Sequence, residues 1–236
     1  MDIPALLKDL SYCNYDLQTW INRRFRDENY EMIDRRVIDH IVSIDGLSWD
    51  LWGANDVCRV LDEYQFGDIG SEDVVLDLGA CSGGVAIRAA KMGAKHVYAV
   101  EPLFTDILLK NVRLNNLQDT ITVFSFGVGD GTPIHTRYGH IEKTIPTFTL
   151  PQIFEKMGEK PTFVKIDVEG AEWLIPPEDF TGIRRIEFEA HSEHISQFPQ
   201  NPMLIEYIRK NWDVSETDCD LTCSHWLHAY PRKDTT

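Results

Sequence analysis

Val74-Val75-Leu76-Asp77-Leu78-Gly79-Ala80-Cys81-Ser82-Gly83-Gly84 is the stretch that decides the fold. Val74 to Leu78 is a continuous apolar run broken only by Asp77, as a strand buried on both faces should be. The glycine-rich turn leads into a helix with Val85, Ala89 and Met92 at i, i+4 and i+7, and Gly93 stands where a C-cap belongs. Strand, glycine turn and amphipathic helix are the opening of a βαβ unit.

The same grammar continues downstream. His96 to Val100 predicts a second strand ending in Glu101-Pro102, and its helix carries Phe104, Ile107, Leu108 and Val112 on one side. A third strand, Ile121 to Phe126, runs into Gly127-Val128-Gly129-Asp130. After a stretch rich in Pro, Gly and Thr, Phe163-Val164-Lys165-Ile166-Asp167 reads as the fourth strand and Arg184 to Ala190 as the fifth. Asn201-Pro202 starts a helix that runs to Lys210, with Arg209 and Lys210 complementing the dipole at its end. Strands near Asp213–Thr217 and Ser224–Tyr230 close the chain as an antiparallel hairpin. The expected architecture is α/β: one seven-strand, mostly parallel sheet over residues 71–236. Residues 1–70 read as a helical and mixed extension, a lid or a substrate platform, with Leu6, Leu7 and Leu10, then Tyr15, Trp20, Ile21 and Phe25, at loosely helical spacings, a pattern broken by Ser48-Trp49-Asp50-Leu51-Trp52-Gly53. Trp49, Trp52 and Tyr64 could cover a site or pack that extension onto the sheet.

Composition narrows the function. The chain has 236 residues, 38 acidic against 23 basic, and a formal charge of −15. That balance disfavours loose, phosphate-driven binding, so nucleic acid is not an expected partner. The arginines at 23, 24, 26, 35 and 36 are interleaved with Asp27, Glu28, Glu31 and Asp34, which neutralise them. Five scattered cysteines suggest no disulfide framework. MDIPALLKDL places acid before any basic n-region, and no run approaches about 20 apolar residues. A cytoplasmic location without membrane contact is the expectation.

The chemistry gathers at strand ends. In an open α/β sheet the ligand crevice lies outside the carboxyl ends of the strands, and Glu101, Asp167, Glu169 and His191 all fall there. A glycine turn lets a ligand approach the backbone and aims helix N–H groups at it. Here the spacing is Gly79-x-x-x-Gly83-Gly84, not the G-x-G-x-x-G of dinucleotide enzymes, which argues against a nicotinamide-dependent oxidoreductase. An acid at the second strand's tip, Glu101, is placed to accept hydrogen bonds from two ribose hydroxyls. Lys165, Asp167 and Glu169 alternate along one face, although Lys165 could simply pair with Asp77 or Asp167. Glu172 could be a solvated first-turn acid. His191 and His194 with Glu189, or Cys219 and Cys223 with His225 and His228, could be read as metal ligands. The second set lacks a C-x-x-C knuckle and straddles a hairpin that scatters its side chains; a metal acting through Asp167 and His191 is a further minor alternative, and no metal is expected.

Taken together, VLDLGACSGG, YAVEP, Gly127-Val128-Gly129-Asp130, the string Val164-Lys165-Ile166-Asp167-Val168-Glu169-Gly170-Ala171-Glu172 and Glu189-Ala190-His191 resemble the FkbM family over about residues 70–195. The family is one of Rossmann-like methyltransferases that use S-adenosylmethionine. The resemblance implies cofactor contacts from Asp77, Gly79, Ala80, Cys81, Ser82, Gly83, Glu101, Pro102, Gly127 and Val128. It also implies a catalytic group of Lys165, Asp167, Glu169 and His191, with His191, or Asp167 with Glu169, as the base. The family methylates oxygen on sugars, macrolides and related small molecules, so a small hydroxylated acceptor is expected. Cys81 stands where the family typically has Asn, and Pro151 where it usually has Asp. Methylation of RNA or protein, and a cofactor-binding module without catalysis, are the rivals. Oligomeric state is not legible.

Overall fold

A computed structural model describes residues 41–44, 46–50, 60, 63–138, 141–193, 196–219 and 224–232. Its centre is a seven-stranded sheet of β3 (Val74–Leu78), β4 (His96–Val100), β5 (Ile121–Phe124), β10 (Phe163–Ile166), β11 (Arg185–His191), β12 (Asp213–Cys219) and β13 (Ser224–Tyr230). The order across the sheet is β12-β13-β11-β10-β3-β4-β5. β5, β4, β3, β10 and β11 run parallel, while β13 is antiparallel to both β11 and β12. The expected seven strands and terminal hairpin are therefore present. The third strand is two residues shorter than expected. Gly127–Val128 (β6) leaves the sheet to pair in parallel with Thr147–Phe148 (β9).

Helices α1 (Gly84–Lys91) and α2 (Thr105–Leu114) cover one face of the sheet, and α3 (Leu150–Met157) and α4 (Pro202–Asn211) the other. The segment between β6 and β10, read from sequence only as rich in Pro, Gly and Thr, holds two features besides β9. One is the hairpin β7 (Ile134–Tyr138) and β8 (Ile141–Ile145). The other is α3, started by a capping box in which Thr149 and Gln152 bond each other's backbone N–H, and ended at Gly158 with φ 74°.

Residues 41–50 depart from the helical reading of the extension. Ile41–Ile44 (β1) and Leu47–Asp50 (β2) form an antiparallel hairpin turning at Gly46, φ 73°. Three of the four residues Ile41-Val42-Ser43-Ile44 are β-branched, and branched side chains favour a pleated surface over a helix. This hairpin is tied to α2: Asp50 N–H donates to Asn111 Oδ1 at 2.7 Å, and Asn115 exchanges hydrogen bonds with Ser48 at 3.0 and 2.7 Å. Trp49 is fully buried in the core beneath it, the packing alternative rather than the lid. Residues 1–40 and Trp52 lie outside the described residues. Among the described residues no helix is long and apolar enough to cross a membrane.

Candidate active site

A cavity of about 670 Å³ opens at the carboxyl ends of β3, β4, β10 and β11. Of the residues expected at the site, Gly79, Cys81, Glu101, Pro102, Gly127, Val128, Asp167 and Glu169 line it. Ile134, Thr136, Glu142 and Ile145 of the β7–β8 hairpin line the opposite wall. Their contribution was invisible in the sequence because the hairpin itself was not recognised. Asp77, Ala80, Ser82, Gly83, Lys165 and His191 lie behind the wall and do not line it.

The glycine turn is shaped by close contacts. Gly79 (φ 77°), Cys81 (φ 47°) and Gly83 (φ 97°) all have positive φ. A Cβ on Gly79 would overlap the Asp167 carbonyl, so this glycine lets the ends of β3 and β10 meet. Asp77, fully buried, accepts the Ala86 N–H of the first turn of α1 at 3.0 Å and faces Lys165 Nζ at 3.3 Å. Lys165 donates to the Gly79 carbonyl at 2.6 Å and lies 3.6 Å from Asp167. Its ammonium therefore ties strand to turn, as the ion-pair alternative held. Burial pushes the Asp77 carboxyl up, with Lys165 opposing it.

Glu101 is 5% exposed and already well supplied with donors. Its Oε1 accepts the N–H groups of Leu103 and Phe104 at 2.6 and 2.9 Å, and its Oε2 accepts Cys81 N–H at 2.8 Å. It thereby fixes the start of α2 and the glycine turn together. Burial raises its pKa and the three amides lower it, leaving a net upward shift. With two acceptor positions on each oxygen, one remains, on Oε2, for a hydroxyl donor.

Beyond the turn the site is a ring of carboxylates around one imidazole. Tyr64 O–H sits between Asp167 Oδ2 at 3.0 Å and Glu189 Oε2 at 2.9 Å. Burial first, then the charges of Asp167 and Glu189, push its phenol well above the ordinary range. His191 is 2% exposed, and its Nδ1 faces Glu172 Oε1 at 3.0 Å. The same Glu172 oxygen accepts His191 N–H at 2.9 Å, and its Oε2 accepts Gly170 N–H at 2.8 Å. Glu172 is fully buried, which replaces the solvated-acid alternative with a bracing one. On the other edge of the ring, Nε2 lies 3.7 Å from Asp167, Glu169 and Glu189 alike. Burial alone would lower the basicity of His191, but the Glu172 hydrogen bond and the surrounding carboxylates raise its pKa to about 9. Glu169 is pushed up to about 7, first by its place in the cavity and then by Asp167. It is held at φ 53°, followed by Gly170 at φ 100°, consecutive left-handed residues that turn its side chain back toward His191.

Tyr64, Glu172 and Glu189 thus stand beside the residues that the sequence placed at the site. Glu189 and Glu172 stood inside recognised motifs, but only the strand register shows that they meet His191. The two histidine sets set aside as metal ligands from sequence include residues outside the described ones, and the histidines described have carboxylate partners. His225 pairs with Glu216 and His228 with Glu187. His194, Cys223 and the Cys219 side chain lie outside the described residues.

Comparison with known proteins points one way. Ribosomal protein L11 methyltransferase of Chloroflexus aurantiacus is 44% identical over 79 residues, 32% of this chain and 24% of that protein. The protein of the same name from Thermoanaerobacter pseudethanolicus is 33% identical over 69 residues, 28% of this chain and 22% of that one. The matched segment spans about a quarter of the length of these curated relatives. Among solved structures, the Methanococcus jannaschii fibrillarin pre-rRNA processing protein is similar with a TM-score of 0.49 at 15% identity, covering 84% of this chain and 85% of that one. A precorrin-6y methyltransferase of Geobacter metallireducens has a TM-score of 0.46 at 11% identity, covering 83% and 96%. The methyltransferase FkbM domain matches residues 77–213, more than half of the sequence and the whole run from the first strand through the carboxylate ring. This chain belongs to the FkbM methyltransferase family.

Proposed function

We propose that the protein transfers a methyl group from S-adenosylmethionine to a hydroxyl oxygen of a small molecule. The observation that carries this reading is one cavity joining the glycine turn and Glu101 at one end to Asp167 and Glu169 at the other. The fit to the cofactor is favourable: Glu101 keeps an acceptor position, the backbone at Gly79 and Cys81 is open to the cavity, and carboxylates dominate the charge of the wall. A carboxylate-rich wall suits a ligand that carries a sulfonium.

Bound there, S-adenosylmethionine supplies an activated methyl: the acceptor oxygen bonds to that carbon as the carbon–sulfur bond breaks, and sulfur keeps the electron pair. The chain's part is to align the two reactants and exclude water. Glu101, Gly79 and Cys81 hold one end, and the β7–β8 hairpin covers it. Asp167 and Glu169 receive the acceptor's hydroxyl, whose proton leaves to the carboxylate ring. The acidic wall and the charge of −15 oppose a polyanionic acceptor and favour a small neutral one.

Calorimetric titration with S-adenosylhomocysteine, with NAD as the control, tests the cofactor. Micromolar binding that weakens in Glu101→Gln supports the reading and licenses a screen of hydroxylated acceptors with radiolabelled methyl donor. Folded, ligand-free protein that binds NAD, or binds neither compound, would overturn it.

A further inference from the structure

Three side chains from two segments converge on one point of the cavity wall. Asp167 and Glu169 follow β10, and His191 ends β11. One ligand atom from each lies within 4.8 Å of the others. His191 Nε2 stands 3.7 Å from Asp167 Oδ1 and 3.7 Å from Glu169 Oε2. That is too long for an N–H···O hydrogen bond. Donors about 2.1 Å from a shared ion stand about 3–4 Å apart, depending on the angle between them, and both spacings to His191 Nε2 fall in that range.

An independent observation lies on the far edge of the imidazole. Nδ1 is engaged by Glu172, a fully buried carboxylate that also holds the backbone of His191 and of Gly170. A histidine so braced carries a proton on Nδ1 and turns Nε2 outward, the arrangement in which a buried carboxylate orients a metal-ligating imidazole. Nε2 forms no hydrogen bond among the described residues, although the His191 side chain is 3% exposed. Its neighbours are carboxylate oxygens only, Glu189 included at 3.7 Å.

We propose that Asp167, Glu169 and His191 form a divalent-cation site of the manganese(II) class, with Glu172 as the residue that positions the imidazole. Two carboxylates and one imidazole are a hard-to-borderline donor set. Manganese(II) accepts it more readily than magnesium, which prefers oxygen throughout, and no thiolate joins the three ligand atoms. Asp167 and Glu169 line the cavity, so the remaining coordination positions face the space assigned to the acceptor. A neutral acceptor presenting two vicinal hydroxyls is the class such a cation would orient. That role rests on the methyl-transfer reading; the site itself does not.

The test is titration of the full chain with manganese(II), following the signal of the free ion by electron paramagnetic resonance, with S-adenosylhomocysteine calorimetry in parallel. One equivalent should bind per chain. Glu169→Gln, a half-exposed position that tolerates the change, and Glu172→Gln should each weaken it by about 10- to 100-fold, the effect typical of losing a ligand's support. Neither residue touches Glu101, so S-adenosylhomocysteine should still bind both variants. Absence of stoichiometric manganese binding, or binding that neither variant weakens, overturns the site. Manganese failing in protein that binds S-adenosylhomocysteine overturns the cation site alone. The converse result overturns the methyltransferase reading and leaves the site standing.

Discussion

On β11, Ile186, Phe188 and Ala190 turn toward α3 and α4, while Arg185, Glu187, Glu189 and His191 turn toward the α1 side of the sheet. All seven are buried. The first face continues through Leu76, Leu78, Val164 and Ile166 as unbroken apolar core. The second carries Asp77 and Lys165 on the neighbouring strands, beside Val75 and Phe163. One face is held by area removed from water. The other keeps its charges only because each has partners: Arg185 with Glu187 and the Gln65 carbonyl, His228 with Glu187, Lys165 with Asp77. The charged ladder leads along β11 straight to the cavity, so the face that costs more to bury is the one that carries the site.

That contrast can be broken by matched substitutions. Phe188→Ala on the apolar face, where the ring packs edge-on against Trp173, should cost about 3–5 kcal/mol of unfolding free energy in urea titration. Arg185→Met on the charged face should cost a comparable amount, about 3–5 kcal/mol, because it removes the buried cation that faces Glu187 Oε1 and leaves only His228 and the Gln65 N–H on the other oxygen. A loss under about 1 kcal/mol would show that the ladder does not depend on its pairing. Tyr64→Phe removes the one hydroxyl shared by Asp167 and Glu189 and should cost about 1–3 kcal/mol, with a larger proportional fall in turnover than in cofactor affinity.

Smaller effects sharpen the same comparison. Glu101→Gln should weaken S-adenosylhomocysteine binding about tenfold, about 1.4 kcal/mol, in calorimetry. It also replaces an acceptor for three amides. The smallest effect belongs to the exposed edge strand. Glu216, paired with Arg209 and His225, has its pKa lowered to about 2, mainly by the Arg209 hydrogen bond. A depressed carboxyl stabilises the fold above its unfolded pKa, near 4.5, and loses that contribution as pH falls toward 2. Solvent screens this pair, so Glu216→Gln should flatten the acid limb of the stability curve by only about 0.5 kcal/mol.

Much of this was legible in advance. Alternation of period 2 and period 3.6 is local, and it placed all seven strands and the helices α1, α2 and α4. Residues 41–47 read as part of a helical neighbourhood although Ile41, Val42 and Ile44 are β-branched, while the break at Ser48–Gly53 was visible, and α3 escapes the period-3.6 reading although Thr149-x-x-Gln152 carries the capping-box pattern. Of the site, the acids at strand ends were visible, because topology sends every such residue to one rim of the sheet.

By itself the sequence determined the α/β order, the glycine turn after β3 and the family motif, for each rests on neighbours a few residues apart. The assembled fold was needed to see that Lys165 braces the glycine turn, that Glu172 is buried behind His191, and that Tyr64 reaches Glu189 across 125 residues. Those contacts depend on which strands pair and in what register. Register is fixed by the whole buried face at once and not by any local stretch of chain.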